Sequence, residues 1–133
     1  MPSTSSPAPT LNIKIGSKST EVTMFFGRLN ELAELVGSFE RLPEVDFHAP
    51  TRTAVLDILL SPRDERGRRT DPEWIIPPDL SIEDAEAALD FAKEHLADFF
   101  LGRLEKHLAS LQTNGQRLTG VGSSLNGLAP SAS

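Results

Sequence analysis

The feature that most constrains the fold is a change of hydrophobic period within residues 11–37. Apolar and polar residues alternate from Leu11 to Ile15 and again from Thr20 to Met24, and beyond this point apolar residues recur every three or four positions. A period of two is typical of a half-buried strand, whereas a period of 3.6 is typical of an amphipathic helix. The order therefore predicts a β-hairpin followed by a helix.

The boundaries of this unit follow from its glycines. Residues 16–19 separate the two predicted strands, and Gly16 supplies the positive φ that tight hairpin turns require. Gly37 ends the helix predicted over residues 26–36, because glycine adopts the left-handed conformation after a helix at little cost. Two strands alone are only marginally stable, so we expect the hairpin to pack on helices or on another chain's sheet.

The middle of the chain predicts one buried helix between two irregular segments. Residues 38–50 show no clear period, and residues 51–60 are apolar almost all round, with Thr51 as the expected N-cap. Residues 61–80 follow as a charged loop that contains four prolines. A loop of this length is uncommon in a small domain.

The longest periodic stretch predicts a final helix over residues 81–111, with Ser81 capping its first turn. At about 1.5 Å per residue this helix would span roughly 45 Å. That exceeds what a domain of about 100 residues covers, so we expect part of the helix to contact another subunit. Gly102 in its interior predicts a bend or a close approach of another backbone.

Together these elements predict an α+β fold, with a small N-terminal β-hairpin packed on about three helices, the last of them long. A length of 133 residues fits one domain. Residues 1–10 carry no charge and three prolines, and residues 112–133 are mostly small and polar. We therefore predict a flexible N-terminal arm, a single domain over residues 11–111 and a flexible C-terminal tail over residues 112–133.

The charge balance disfavours nucleic acid as a partner. The formal net charge is −6, whereas binding to phosphates needs a basic face. Arginines cluster at positions 63, 66, 68 and 69, but acidic residues lie between them. This pattern favours a solvated charged loop over a phosphate site.

The composition also limits other classes of protein. There is no cysteine, which excludes disulfides and zinc sites that use cysteine. The N-terminus lacks the basic and apolar segments of a secretory signal, and no apolar run is long enough to predict a membrane span.

No arrangement of residues predicts catalysis. His95 and His107 are twelve positions apart and cannot share a metal within one helix, and neither these nor His48 belongs to a His-Glu-x-x-His or Glu-x-x-His motif. The serines lie in the ends, turns and caps, outside any nucleophile motif. We therefore predict no catalytic residue, no metal and no cofactor, although a small enzyme with an unrecognised site stays open as an alternative.

Adjacent large apolar residues are the remaining candidates for function. They occur at Phe25-Phe26, Trp74-Ile75-Ile76 and Phe99-Phe100. One interpretation is a core on one side with a covering loop on the other, and the other is a docking surface. The candidate partner-binding residues are Phe25, Phe26, Trp74, Phe99, Phe100, Leu104 and Leu108. Such a surface would serve self-association, a helical client or both.

The N-terminal segment LNIKIGSKSTEVTMFFGRLNELAELVG resembles the opening of tailed-phage tail assembly chaperones. The positions that carry the resemblance are Ile13, Ile15, Gly16, Glu21, Val22, Phe25, Leu29, Leu32 and Gly37. The charged loop LLSPRDERGR and a long final helix also fit the layout of those proteins. The resemblance implies a non-enzymatic chaperone in the host cytoplasm that binds the tape-measure protein and helps recruit tail-tube subunits.

One alternative from the same setting is a structural component of the virion, such as a head–tail connector or a baseplate adaptor. Residues 1–10 and 112–133 would then become ordered on neighbouring subunits. Ordered ends would favour this alternative over the chaperone.

Overall fold

The computed structural model describes the backbone of residues 6–128 and the side chains of residues 6–115. Within this range the fold is α+β, with an antiparallel hairpin followed by four α-helices, which confirms the predicted class. The elements are β1 (Thr10–Ile15), β2 (Lys18–Thr23), α1 (Phe26–Val36), α2 (Glu44–Phe47), α3 (Ala49–Leu60) and α4 (Ile82–Leu128). The chain divides into two units, Met1–Phe100 and Leu101–Ser133.

The hairpin is tighter than the sequence predicted. Its register pairs Leu11 with Val22 and Ile15 with Lys18, so the turn has two residues and not four. Gly16 has a φ of 65°, as expected for this kind of turn. The backbone N–H of Gly16 also donates to the carbonyl of Asp79 at 3.3 Å, and this contact brings the end of the 61–80 loop back to the hairpin.

Helix α1 has the predicted bounds. Gly37 follows it with a φ of 89°, and its backbone N–H donates to the carbonyl of Ala33. The prediction that residues 38–50 are irregular is wrong in part, because this segment holds a single 3₁₀ turn (Phe39–Arg41) and the short helix α2. Both elements are too short to produce a readable period.

Helix α3 begins two residues earlier than predicted, and Thr51 does not cap it. His48 occupies the N-cap, and Pro50 lies in the first turn, where a missing N–H costs nothing. Thr51 is buried inside the helix, and its hydroxyl donates to Oε1 of Glu44 at 3.0 Å.

The core of the first unit draws on every strand and α-helix of that unit, and α3 is well buried as predicted. The apolar faces of the hairpin and of the helices pack together in this core, and removing them from water stabilises the fold. The buried apolar residues are Ile13, Val22, Leu32, Val36, Leu42, Val45, Val55, Leu56, Ile58, Leu59, Ala88, Leu89, Phe91, Ala92 and Leu96.

Helix α4 starts as predicted and ends later. The backbone N–H of Asp84 donates to Oγ of Ser81 at 3.0 Å, which confirms the cap. The three-and-four spacing that predicts this helix also places Ile82 on its apolar face, and this part of the prediction is wrong, since the Ile82 side chain is 83% exposed. The helix continues to Leu128, 17 residues beyond the predicted end at 111.

The two ends fall partly outside the described residues, which exclude 1–5 and 129–133. Of the N-terminal arm, Pro9 accepts a hydrogen bond from the backbone N–H of Met24 at 2.8 Å, and the Ala8 carbonyl lies 2.7 Å from Nε2 of His95. The flexibility of both ends and the domain boundaries at 10 and 111 stay predictions.

Candidate protein-binding surfaces

Phe25, the first predicted contact residue, is half-buried within the first unit. Its ring faces two arginines, with the guanidinium carbon of Arg28 4.8 Å and that of Arg63 6.0 Å from the ring centroid. Such cation–π contacts stabilise a ring that is already partly covered. The neighbouring Phe26, at the start of α1, is 76% exposed. Of this doublet, only Phe26 is open to a partner.

The two arginines hold the charged loop in place. Arg63 donates to Oε2 of Glu31 at 2.6 Å and to the carbonyl of Ile58 at 3.0 Å, while Arg28 donates to the same Ile58 carbonyl at 3.2 Å. Both cations thus lie at the C-terminal end of α3, where the helix dipole favours positive charge. Burial, and then the charge of Arg63, lowers the pKa of Arg28 to about 10.

The prediction of a solvated charged loop is therefore wrong for Arg63, whereas Arg69 is exposed but paired. The side chain of Arg63 is 93% buried against Glu31, and Arg69 forms an ion pair with Asp57. Sequence alone did not show these partners, because Glu31 lies in α1, 32 residues before Arg63, and Asp57 lies in α3, 12 residues before Arg69. Each of these arginines already has a carboxylate partner, so the pair is not free to bind an anion.

An apolar groove lies beside the loop that carries Trp74. It has a volume of about 760 Å³ and runs between residues 74–76 and the start of α3. Trp74 is half-buried in its wall, whereas Ile75 is 76% exposed. The lining residues are Ala49, Pro50, Thr53, Ala54, Asp57, Trp74, Ile75 and Ile76. The side chains that α3 contributes near its start are small and leave room for the groove, and the large residues 74–76 of the loop line its other side.

The polarity of this groove suits a mainly apolar ligand. Asp57 is the one charged residue in the lining, and its carboxylate is paired with Arg69. Thr53 adds a hydroxyl. Binding sites in proteins commonly combine apolar walls with a few polar groups, as here.

A second cavity of about 540 Å³ lies near α2 and is less suited to an apolar ligand. It is lined by Phe39, Leu42, Pro43, Glu40, Asp46 and Lys93. Nζ of Lys93 lies 2.9 Å from Oδ1 of Asp46, and this hydrogen bond raises the pKa of Lys93. Because this salt bridge lies in the wall of the cavity, an apolar ligand bound there would remove charged groups from water, which costs free energy.

The second unit presents a row of four leucines, namely Leu101, Leu104, Leu108 and Leu111. Their spacing is three, four and three, and each is between 43% and 51% exposed. Completely burying one leucine stabilises a complex by about 1.5–3 kcal/mol. Covering the exposed half of four would therefore contribute on the order of 3–6 kcal/mol from each helix. We refer to this set as the leucine row.

Two residues of the leucine row, Leu101 and Leu111, are not among the candidate partner-binding residues predicted from the sequence. The three-and-four spacing of apolar residues in the predicted helix includes Leu111, but it runs from Leu96 through Phe99 and Phe100 to Leu104 and so omits Leu101. Phe100 packs against the core of the first unit, and the Phe99 ring lies edge-on to it with centroids 5.6 Å apart. The predicted residues thus belong to separate surroundings, with Phe99 and Phe100 in the first unit and Leu104 and Leu108 in the second.

The glycine content of the second unit also bears on its function. Residues 101–128 contain five glycines, and each costs a helix about 1 kcal/mol relative to alanine. A Cβ added at Gly102 or Gly115 would meet no atom of this chain within 4 Å, so no other described segment lies close to either glycine. The close approach of another subunit's backbone at Gly102 stays a prediction. Helices in proteins owe most of their stability to the packing of an apolar face and not to intrinsic propensity. A glycine-rich helix with an exposed leucine row therefore gains much from a partner.

The histidines have separate environments. Nδ1 of His48 lies 2.7 Å from Oγ1 of Thr51, His95 contacts the Phe91 ring edge-on at 4.7 Å, and His107 belongs to the second unit. Within the residues that the structure describes, no three His, Asp or Glu side chains come together in a way that could hold a metal ion. None of the helices in this part of the chain is both long and apolar enough to cross a membrane.

Comparison of the chain with protein-family models, with curated proteins and with solved structures finds no match.

Proposed function

We propose that this protein is a non-enzymatic assembly chaperone of a tailed phage that holds an apolar segment of the tape-measure protein. The resemblance of residues 11–37 to tail assembly chaperones supports the setting. The tail-tube subunits would be recruited to the same complex in the host cytoplasm. The observation that carries the binding role is the apolar groove beside Trp74, with Ile75 exposed at its edge.

The groove suggests what part of the client it binds. A volume of about 760 Å³ accommodates a few large side chains from one helix or one extended segment. The chain carries a net charge of −6, and Asp71 and Glu73 are exposed next to Trp74. A client segment with apolar anchors and basic flanks would complement this surface.

Substitution of Ile75 tests the proposal. Ile75→Glu places a charge at the edge of the groove, and the exposure of this side chain leaves folding intact. Burying one isoleucine is worth about 1.5–3 kcal/mol, so binding should weaken by about 10–100-fold. The measurement is the Kd of the purified chain for the tape-measure protein of the same phage.

Ile82→Glu provides the matched control, because Ile82 is 83% exposed and lies outside the groove. It should bind like the wild type. Equal affinity for the Ile75 and Ile82 variants, or no binding by the wild type, would exclude the groove as the client site.

A second candidate function is a structural component of the virion, and the ends of the chain favour it. Ala8 and Pro9 of the predicted arm make hydrogen bonds within the first unit, and residues 112–128 of the predicted tail belong to α4. The two candidates differ in one measurable outcome. Mass spectrometry of purified particles should find the chain in the virion if it is structural and should not find it if it is a chaperone.

A further inference from the structure

We infer that the leucine row of the second unit binds the same unit of a second copy of this chain, with the two helices antiparallel. Its four leucines are half exposed on a single helix, at the alternating three-and-four spacing that brings helices together as a coiled coil. This surface is distinct from the groove of the first unit, so the inference does not depend on the proposed client.

The sequence of the second unit is self-complementary in its apolar spacing. After Leu111, apolar residues recur at positions 118, 121, 125 and 128, all within α4. From 101 to 128 the intervals are three, four, three, seven, three, four and three, which are the same in either direction. A two-fold symmetric pair of antiparallel helices requires this property, because each contact between two positions must occur twice with the positions exchanged.

The spacing fixes one register for the pair. Antiparallel helices related by a two-fold axis between residues 114 and 115 place position 101 opposite 128, 104 opposite 125, 108 opposite 121 and 111 opposite 118. Each of these pairs joins two leucines, except that position 121 is valine. Every apolar layer therefore has an apolar counterpart in the second copy.

The charges favour the same orientation. Arg103, Glu105 and Lys106 lie in the first half of the unit, and this register places them opposite Asn126, Ser124 and Ser123. A parallel pair in register would instead bring identical charges to the same level, and like charges on neighbouring helices repel. A client helix would need no such symmetry, so the repeated spacing indicates a second copy as the occupant.

The mass of the full chain in solution tests the association. The wild type should scatter light with about twice the 14.5 kDa of the chain, and Leu104→Asp should raise the dissociation constant by at least about 100-fold because both copies carry the change. Ala109→Asp, an exposed position outside the row, should remain associated. A wild-type chain that is monomeric at high micromolar concentration would overturn the inference, as would an associated Leu104→Asp variant.

Engineered cysteines test the orientation, and the chain has no cysteine of its own to interfere. A disulfide forms when the two Cα atoms are roughly 4.4–6.8 Å apart. The double variant Leu104→Cys, Leu125→Cys should therefore form covalent dimers on oxidation, whereas Leu104→Cys alone should not. Rapid dimerisation of the single variant would indicate parallel helices and contradict the inferred register, and absence of a covalent dimer in the double variant would contradict it equally. Ile75→Glu should leave this association unchanged, which separates a failure of this inference from a failure of the proposed function.

Discussion

Gly67 lies against the ring of Phe25 in a backbone conformation that glycine alone adopts at low cost. Its φ is 79°, and a Cβ placed on it would lie 2.9 Å from Cε2 of Phe25. Real Cβ atoms rarely come so close to another carbon, and L-residues rarely have this φ. The charged loop therefore depends on the absence of a side chain at this position.

We expect Gly67→Ala to destabilise the first unit by about 2–3 kcal/mol, because the positive φ and the displaced Phe25 ring each carry a cost. Urea unfolding followed by circular dichroism measures this change. Gly27→Ala is the control, since its Cβ would touch the same ring at an ordinary 3.4 Å and Gly27 lies inside α1. Equal losses in the two variants would show that the Gly67 contact is not specific.

Gly102→Ala should act in the opposite direction. A Cβ at this position meets nothing within 4 Å, and alanine is favoured over glycine in a helix by about 1 kcal/mol. The helical signal at 222 nm should persist to higher temperature than in the wild type. A loss of helical stability would mean that another backbone packs against Gly102, as the sequence alone had suggested.

The ion pair between Arg41 and Glu44, at the start of α2, should make the stability of the fold depend on pH. Glu44 accepts hydrogen bonds from Arg41 and Thr51, which lower its pKa below the ordinary value of 4.5. A carboxyl whose folded pKa is lowered contributes stability above its unfolded pKa, and that contribution disappears as the pH falls through the folded value.

Glu44→Gln should therefore be less stable than the wild type at pH 7, and this difference should shrink as the pH falls below 4.5. Unfolding midpoints between pH 7 and pH 3 measure the difference. A gap of constant size over this range would show that the charge of Glu44 does not stabilise the fold.

Local signals in the sequence were sufficient for much of the fold. The change of period near Phe25 and the glycine at 37 predicted α1 with its observed bounds, because both signals act within one helix. Helix α2 was missed because four residues cannot establish a period. The end of α4 was placed too early because its distal half is rich in glycine, a residue with low helix propensity.

The candidate surfaces were harder to predict, since they depend on contacts between distant segments. Phe25 and Phe26 look alike in the sequence, yet only Phe25 is covered, and its cover comes from Arg63 and Gly67 in a later loop. Trp74 was identified from its apolar neighbours, but the groove also needs the small residues of α3. The spacing of Leu104 and Leu108 was sufficient to predict them as partner-binding residues. Leu101 was overlooked because it does not continue the three-and-four spacing of Leu96, Phe99 and Phe100.

Trp74 offers the most direct test of client binding at the groove. It is the single tryptophan of the chain, so its fluorescence reports on this groove alone when the client segment contains no tryptophan. Titration with a tryptophan-free segment of the tape-measure protein should shift the emission of the half-buried indole to shorter wavelength, in a saturable way, as the client removes the remaining water from it. The Ile75→Glu variant should require about 10–100-fold more client for the same shift. An unchanged emission at client concentrations where light scattering shows a complex would contradict the account, because the client would then bind elsewhere.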